Sequence, residues 1–217
     1  MMQKPAMTPS DCSPLPPPGA EPSAERLRGG LAFIQRAERL KDTLRSAHTS
    51  GGRRESTAEH TWRLCLMAMV FEREFGAVDV ARLLKLCVVH DLGEAIGGDI
   101  PAVAQTPAHD KSARERADLE TLLAPLDAGL RAEFLALWDD YEHARTPEAR
   151  LVKGLDKLET LIQHNQGRNP PDFDYAFNLG YGRKYMAAHP LFEALRALVD
   201  RDTQRRADGG PAAGASA

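Results

Sequence analysis

The run "LLKLCVVHDLGEAIGGDIPAV", residues 83–103, decides how the rest of the chain is read. Leu83, Leu84, Leu86, Cys87, Val88 and Val89 are apolar on nearly every side of a helical wheel, which predicts a buried helix over residues 77–90. His90 falls on the side of Leu83 and Leu86, and Asp91 follows it. A buried carboxylate without a partner is expensive, so Asp91 needs a hydrogen-bond donor, a cation or a metal. The segment "GEAIGGDIPA" predicts irregular chain or a single turn. It contains Glu94 and Asp99, and its glycines allow close backbone approach and unusual dihedrals.

Outward from that run the chain reads as helical throughout. A first helix spans Leu27, Leu31, Ile34 and Lys41 and ends near Leu44. "TSGGRREST" predicts a loop. Ser56, with Glu59 three residues on, has the form of a capping box opening a second helix that runs to about Phe75. Further helices are expected over residues 111–123, 130–143, 147–163, 175–187 and 190–205, with Pro147 suited to a first turn. Hardly any segment alternates with period two, so a sheet is not expected. The fold class is all-α.

Two of these helices point polar groups inward. His60, Leu64, Met67 and Phe71 recur at steps of four, three and four, so His60 shares an apolar face. In "RLVKGLDKLETLIQ", Leu151, Leu155, Leu158 and Ile162 form the apolar stripe and Asp156 lies on its edge. Lys153 and Lys157 are expected to point into solvent. Glu159 falls between Leu155 and Val152, a position suited to supporting other polar groups. Taken alone, His60 reads equally as a hydrogen-bonded core histidine, and Asp91 as a helix-end residue tied to a backbone N–H or an arginine. Taken together, two imidazoles and two carboxylates on three helices offer mixed nitrogen and oxygen ligands, which suit a divalent transition metal.

The composition constrains the class of protein. A chain of 217 residues with 42% hydrophobic content can bury one core without metal or disulfide staples. The expected organisation is a disordered Pro-rich tail over 1–23, a single domain over 24–206 and a disordered tail over 207–217. Basic and acidic residues nearly balance at 28 against 31, which argues against a nucleic-acid partner. Cys12, Cys65 and Cys87 fit no zinc spacing; the latter two read as small buried hydrophobes in a reducing compartment. No apolar run has the length of a membrane span and the N-terminus has no apolar signal core, so a cytoplasmic protein with no membrane partner is expected.

The ordered set His60, His90-Asp91, Asp156 resembles the H…HD…D signature of the HD-domain metal-dependent phosphohydrolases. The 5'-deoxynucleotidase branch, with the HD domain-containing protein 2 group, is the nearer likeness. It rests on Glu59-His60, on His90-Asp91 followed by Glu94, and on Gly98-Asp99-Ile100-Pro101. "LWDDYEHARTPEARLVKGLDKLETLIQ" resembles the second half of that group, and the likeness covers roughly residues 27–166.

The resemblance implies an HD-domain helical bundle with a metal site between core helices, and usually a homodimer. It implies His60, His90, Asp91 and Asp156 as metal ligands. Glu94 would be the acid that positions or activates the attacking water, and Asp99 an acid beside the metal and the substrate sugar. The cofactor would be one divalent ion: manganese, cobalt, iron, zinc or magnesium. The substrate would be a deoxynucleoside 5'-monophosphate, cleaved to nucleoside and phosphate. The bacterial nucleotidases carry an Arg-Trp pair before the first histidine helix; "LRSAHTSGGRRES" has no Trp there. Arg45 is the candidate for the matching arginine, with Arg53 and Arg54 as further candidates for phosphate. Other HD phosphohydrolases, acting on triphosphates, polyphosphates or cyclic nucleotides, and a non-catalytic HD binding module are the alternatives.

Overall fold

A computed structural model describes residues 19, 21–101 and 111–210. Most of the expected tail over 1–23, and residues 211–217 of the expected tail at the other end, lie outside the described residues. The described chain is mostly helical: α1 Ala24–Ala37, α2 Thr57–Val70, α3 Val80–Val89, α4 Glu94–Gly97, α5 Lys111–Leu123, α6 Ala128–His143, α7 Pro147–Gln166, α8 Tyr175–Gly180 and α9 Pro190–Ala207. No described helix is long and apolar enough to cross a membrane.

Local chemistry sets the helix starts. Ser56 caps α2 by accepting from the Glu59 backbone N–H, while Glu59 accepts from the Ser56 N–H at 2.9 Å, completing the capping box. Asp79, Asp127 and Thr146 cap α3, α6 and α7 in the same way, and Pro147 occupies the first turn of α7. The helix expected over 175–187 is instead α8 followed by a 3-10 turn, Arg183–Ala188. Gly182 lies between them at φ +71°, in the left-handed region, with the Lys157 side chain against its Cα.

α7 is the axis of the bundle. It packs against α2, α3, α6 and α9, and Leu151, Val152, Leu155, Leu158 and Leu161 on it are all buried. Fourteen of its twenty residues are buried, so it has almost no solvent face. Lys153 and Lys157 therefore do not point into solvent as expected: Lys153 is 8% exposed, and Lys157 forms an ion pair with Asp156. α3 departs the other way. Leu83, Leu86, Cys87 and Val89 are buried, but Val88 is 46% exposed, so the helix is covered on one side only.

One two-stranded sheet is present where a loop was expected. β1 (Leu44–His48) pairs antiparallel with β2 (Arg54–Ser56), with Leu44 opposite Ser56 and His48 opposite Arg54 across an irregular register. The glycine pair makes its turn, closed by Thr49 N–H to Arg53 C=O at 2.7 Å. The hairpin is anchored to α7, whose Gln163 amide donates to the His48 carbonyl at 2.7 Å. Arg45, Ser46 and His48 are thereby held over the end of the bundle where the histidines lie.

Candidate metal centre and cavity

His60 sits in the first turns of α2, fully buried, and His90 closes α3 with its side chain buried. Their ring centroids are 5.4 Å apart. Each ring has its Nδ1 occupied. That of His90 donates to the Cys87 carbonyl at 2.7 Å, one helical turn back, and that of His60 donates to the Glu159 carboxylate at 2.5 Å. These bonds direct both Nε2 atoms toward one point. Both Nε2 atoms are buried without a hydrogen-bond partner.

Asp156 of α7 completes a group. One ligand atom each from His60, His90 and Asp156 lies within 4.8 Å of the others, a donor set that fits a divalent cation. Asp156 Oδ1 is 3.4 Å from His60 Nε2. Its Oδ2 accepts from the Tyr141 hydroxyl and from Lys157 Nζ, both at 2.8 Å. Asp91 adjoins the group, with Oδ2 2.9 Å from His90 Nε2 and 3.8 Å from His60 Nε2. The four expected ligands are thus brought together by three helices and the turn after α3.

Charge in this cluster is arranged against its burial. Burial alone would raise the Asp156 carboxyl, but Lys157 and the two imidazoles hold it well below the ordinary carboxylate range. Burial and Arg45 would lower His60, yet Glu159 and Asp156 raise it to about 10. Glu94, at the start of α4, is pushed up to about 9 by burial and by the charges of Asp91 and Asp99. Its Oε2 accepts from the Thr57 hydroxyl at 2.8 Å.

The cluster lies at one end of a cavity of about 950 Å³, lined there by Arg45, His90, Asp91, Glu94, Asp99 and Asp156. Gly98, at φ +76°, gives the backbone the turn that carries Asp99 to this wall. Arg45 is partly buried, its side chain 12% exposed, with Nη1 3.5 Å from Asp91 and Nη2 donating to Thr160 at 3.2 Å. Arg53 is not brought to the cavity. Its guanidinium forms a fork with Glu59 on the exposed side of the hairpin, which corrects its expected place beside phosphate. Arg54 likewise turns away, onto the Arg45 and Leu44 carbonyls.

Glu159 is fully buried, with the His60 Nδ1 against its carboxylate. A second trio, Glu55, His60 and Glu159, also has oxygens and a nitrogen in reach of one another. Arg45 Nε lies 3.6 Å from Glu55 and Arg63 Nε 3.6 Å from Glu159, so fixed cations already balance these acids. Glu159 orients His60, and Glu55 orients Arg45.

Tyr141 escaped the sequence reading, which placed Lys153 and Lys157 in solvent. Tyr141 bonds Asp156, and Lys111, Lys153 and Lys157 supply positive charge to the walls. Lys153 Nζ stands 4.2 Å over the Tyr141 ring. No pattern in the sequence marks Tyr141. Lys153 and Lys157 follow only once α7 is known to be enclosed on nearly all sides, and Lys111 opens α5.

Residues 37–196 match the HD domain family. The 5'-deoxynucleotidase HDDC2 of Danio rerio is 39% identical over 112 residues, 52% of this chain and 55% of the relative, so that match spans about half of each protein. The 5'-deoxynucleotidase HDDC2 of Bos taurus is 32% identical over 151 residues, 69% of this chain and 73% of the relative. Among solved structures, a protein described as "Predicted metal-dependent phosphohydrolase" from Magnetospirillum magnetotacticum MS-1 superimposes with a TM-score of 0.74. It is 29% identical and is matched over 84% of this chain and 95% of that one.

Proposed function

The chain belongs to the HD-domain family of metal-dependent phosphohydrolases, and from that premise we propose that it hydrolyses deoxynucleoside 5'-monophosphates to deoxynucleoside and phosphate. The observation that carries the reading is the pair of orphaned Nε2 atoms beside Asp156, at the end of a cavity walled by Arg45, Lys111 and Lys157. A chain of net charge −3 has gathered cations where a phosphate would sit.

A divalent cation bound there would supply a Lewis acid for a phosphoryl oxygen, lower the pKa of nearby water and offset the charges that lift Glu94. His60, His90, Asp91 and Asp156 are the side chains proposed to hold it. Arg45 fixes the phosphate with its planar fork, and Lys157 adds charge on the opposite side of Asp156. Glu94 takes the proton of the attacking water, its carboxylate steadied by Thr57. In-line attack forms the bond from water oxygen to phosphorus and breaks the bond to the 5'-oxygen, which takes a proton from solvent and leaves as the nucleoside. The deoxyribose part of the reading comes from relatives named 5'-deoxynucleotidases, and Asp99 is the side chain proposed to face the sugar.

The test is phosphate release from a panel of deoxy- and ribonucleoside 5'-monophosphates by metal-reconstituted protein. Release from the deoxy set alone supports the whole reading; release from both sets removes the sugar preference. Pyrophosphate or a ring-opened product from other nucleotides, with no release from monophosphates, overturns it in favour of another HD substrate class. A cytoplasmic homodimer built on the single domain 24–206 belongs to the same proposal. The exposed rows Leu27-Leu31-Ile34 and Trp62-Leu66-Met69 support the pairing. A monomer in sedimentation at micromolar concentration would remove that part.

A further inference from the structure

The row of α7 that carries Asp156 continues past the metal ligands. Residues four apart stack on one side of a helix, so Asp156, Thr160 and His164 form one line, and all three face the cavity. At 1.5 Å of rise per residue, His164 lies about 12 Å along α7 from Asp156.

That far end carries unused polar groups. His164 is 8% exposed, and its Nδ1 donates to the Asn178 side-chain oxygen at 3.3 Å. Its Nε2 is left as an acceptor, buried and without a partner. Burial and the neighbouring Arg45 and His48 hold the ring neutral, with its pKa down at about 4. His48 brings a second imidazole to this end, and its Nδ1 is also buried without a partner. The His48 backbone is pinned on both sides, by Asn169 and Gln163. Phe173 packs edge-on against His164 at 4.8 Å, and Phe177, 41% exposed, stands on the same wall.

A group that completes this end needs a flat face for the phenyl rings and an edge with N–H donors for the nitrogens. A phosphate or a bare sugar offers neither face nor edge. A nucleobase offers both, and a nucleotide lying lengthwise on α7 with its phosphate at Asp156 reaches His164. Building on the nucleotidase reading above, we infer that His164, His48, Phe173 and Phe177 form a nucleobase subsite in which His164 Nε2 accepts a hydrogen bond from a base N–H. Every common base carries such an N–H, so the subsite recognises the presence of a base more than its identity.

Two measurements test this, one of them independent of turnover. In protein labelled with 15N-histidine, deoxynucleosides are expected to shift the ring signals of His164 and His48, and 2-deoxyribose to leave them in place. In turnover, the kcat/KM ratio of a deoxynucleoside 5'-monophosphate to 2-deoxyribose 5-phosphate is expected to fall about tenfold in H164F, through KM. H48A should lower the same ratio and keeps the test alive if H164F does not fold. Unmoved histidine signals, or a ratio near one in the parent protein, overturn the subsite. Shifted signals without phosphate release from any substrate overturn the hydrolysis reading and leave the base subsite supported.

Discussion

At the scale of single residues, the site works by giving each ring nitrogen of His60 and His90 a separate task. Nδ1 is tied back to the protein, so Nε2 is the only atom left to bind. Glu159 is a positioning residue in this scheme. E159Q weakens the His60 anchor, and divalent-cation affinity is expected to fall about tenfold, read by competition with a chelating dye. Unchanged affinity would separate Glu159 from the site. Glu94 has the opposite part, since it holds no ring and faces the cavity. E94Q keeps its shape and its contact with Thr57 but cannot take a proton; kcat is expected to fall about 10²- to 10⁴-fold with cation affinity retained. Steady-state phosphate release with cation titration checks both halves. The inward direction of His60, His90 and Asp156 was legible because apolar neighbours at helical spacing fix which way a side chain points. Tyr141 was not, because a tyrosine on an amphipathic helix carries no sign of its distant partner.

At the scale of elements, α7 explains most of what sequence patterning misses. A wheel with one apolar stripe assumes a solvent face opposite, and that assumption sent Lys153 and Lys157 outward. α7 is enclosed by its neighbours, and its off-stripe residues line a cavity instead. The hairpin was illegible for a different reason. Its strands are short and mostly polar, and pairing with each other and anchoring on α7 substitute for an alternating pattern. Arg45 and Arg53 illustrate the result: both lie on the same hairpin, yet only Arg45 turns toward the cavity. Close approach of α9 to α7 is a further condition on the axis. A Cβ on Gly154 would stand 2.4 Å from the Phe192 ring. G154A is expected to destabilise the fold by about 1–2 kcal/mol, overpacking outweighing the gain in helix propensity. Urea denaturation reads this directly, and a more stable variant would mean that α9 is free to shift.

At the scale of the whole molecule, the cavity sets how stability responds to acid. His164 is kept neutral inside the fold, with a pKa near 4 against an ordinary value of 6.5. Above pH 6.5 neither folded nor unfolded chain binds a proton there. As pH falls from 6.5 toward 4, the unfolded chain takes one up and the folded chain does not, so stability is lost. Between pH 7 and pH 5 this site alone is expected to cost about 2 kcal/mol, seen as the difference between the parent protein and H164F in denaturant titrations. Equal losses in both proteins would show that His164 is reached by water and proton alike.

We propose that phosphate-ester hydrolysis depends on one cation held by His60, His90, Asp91 and Asp156. The most direct test follows phosphate release from a deoxynucleoside 5'-monophosphate as a divalent cation is titrated into chelated protein, with H90A alongside. No release is expected at zero cation, then a rise that saturates at one equivalent per chain, with H90A silent throughout. Release that survives chelation, or that persists in H90A, would contradict it.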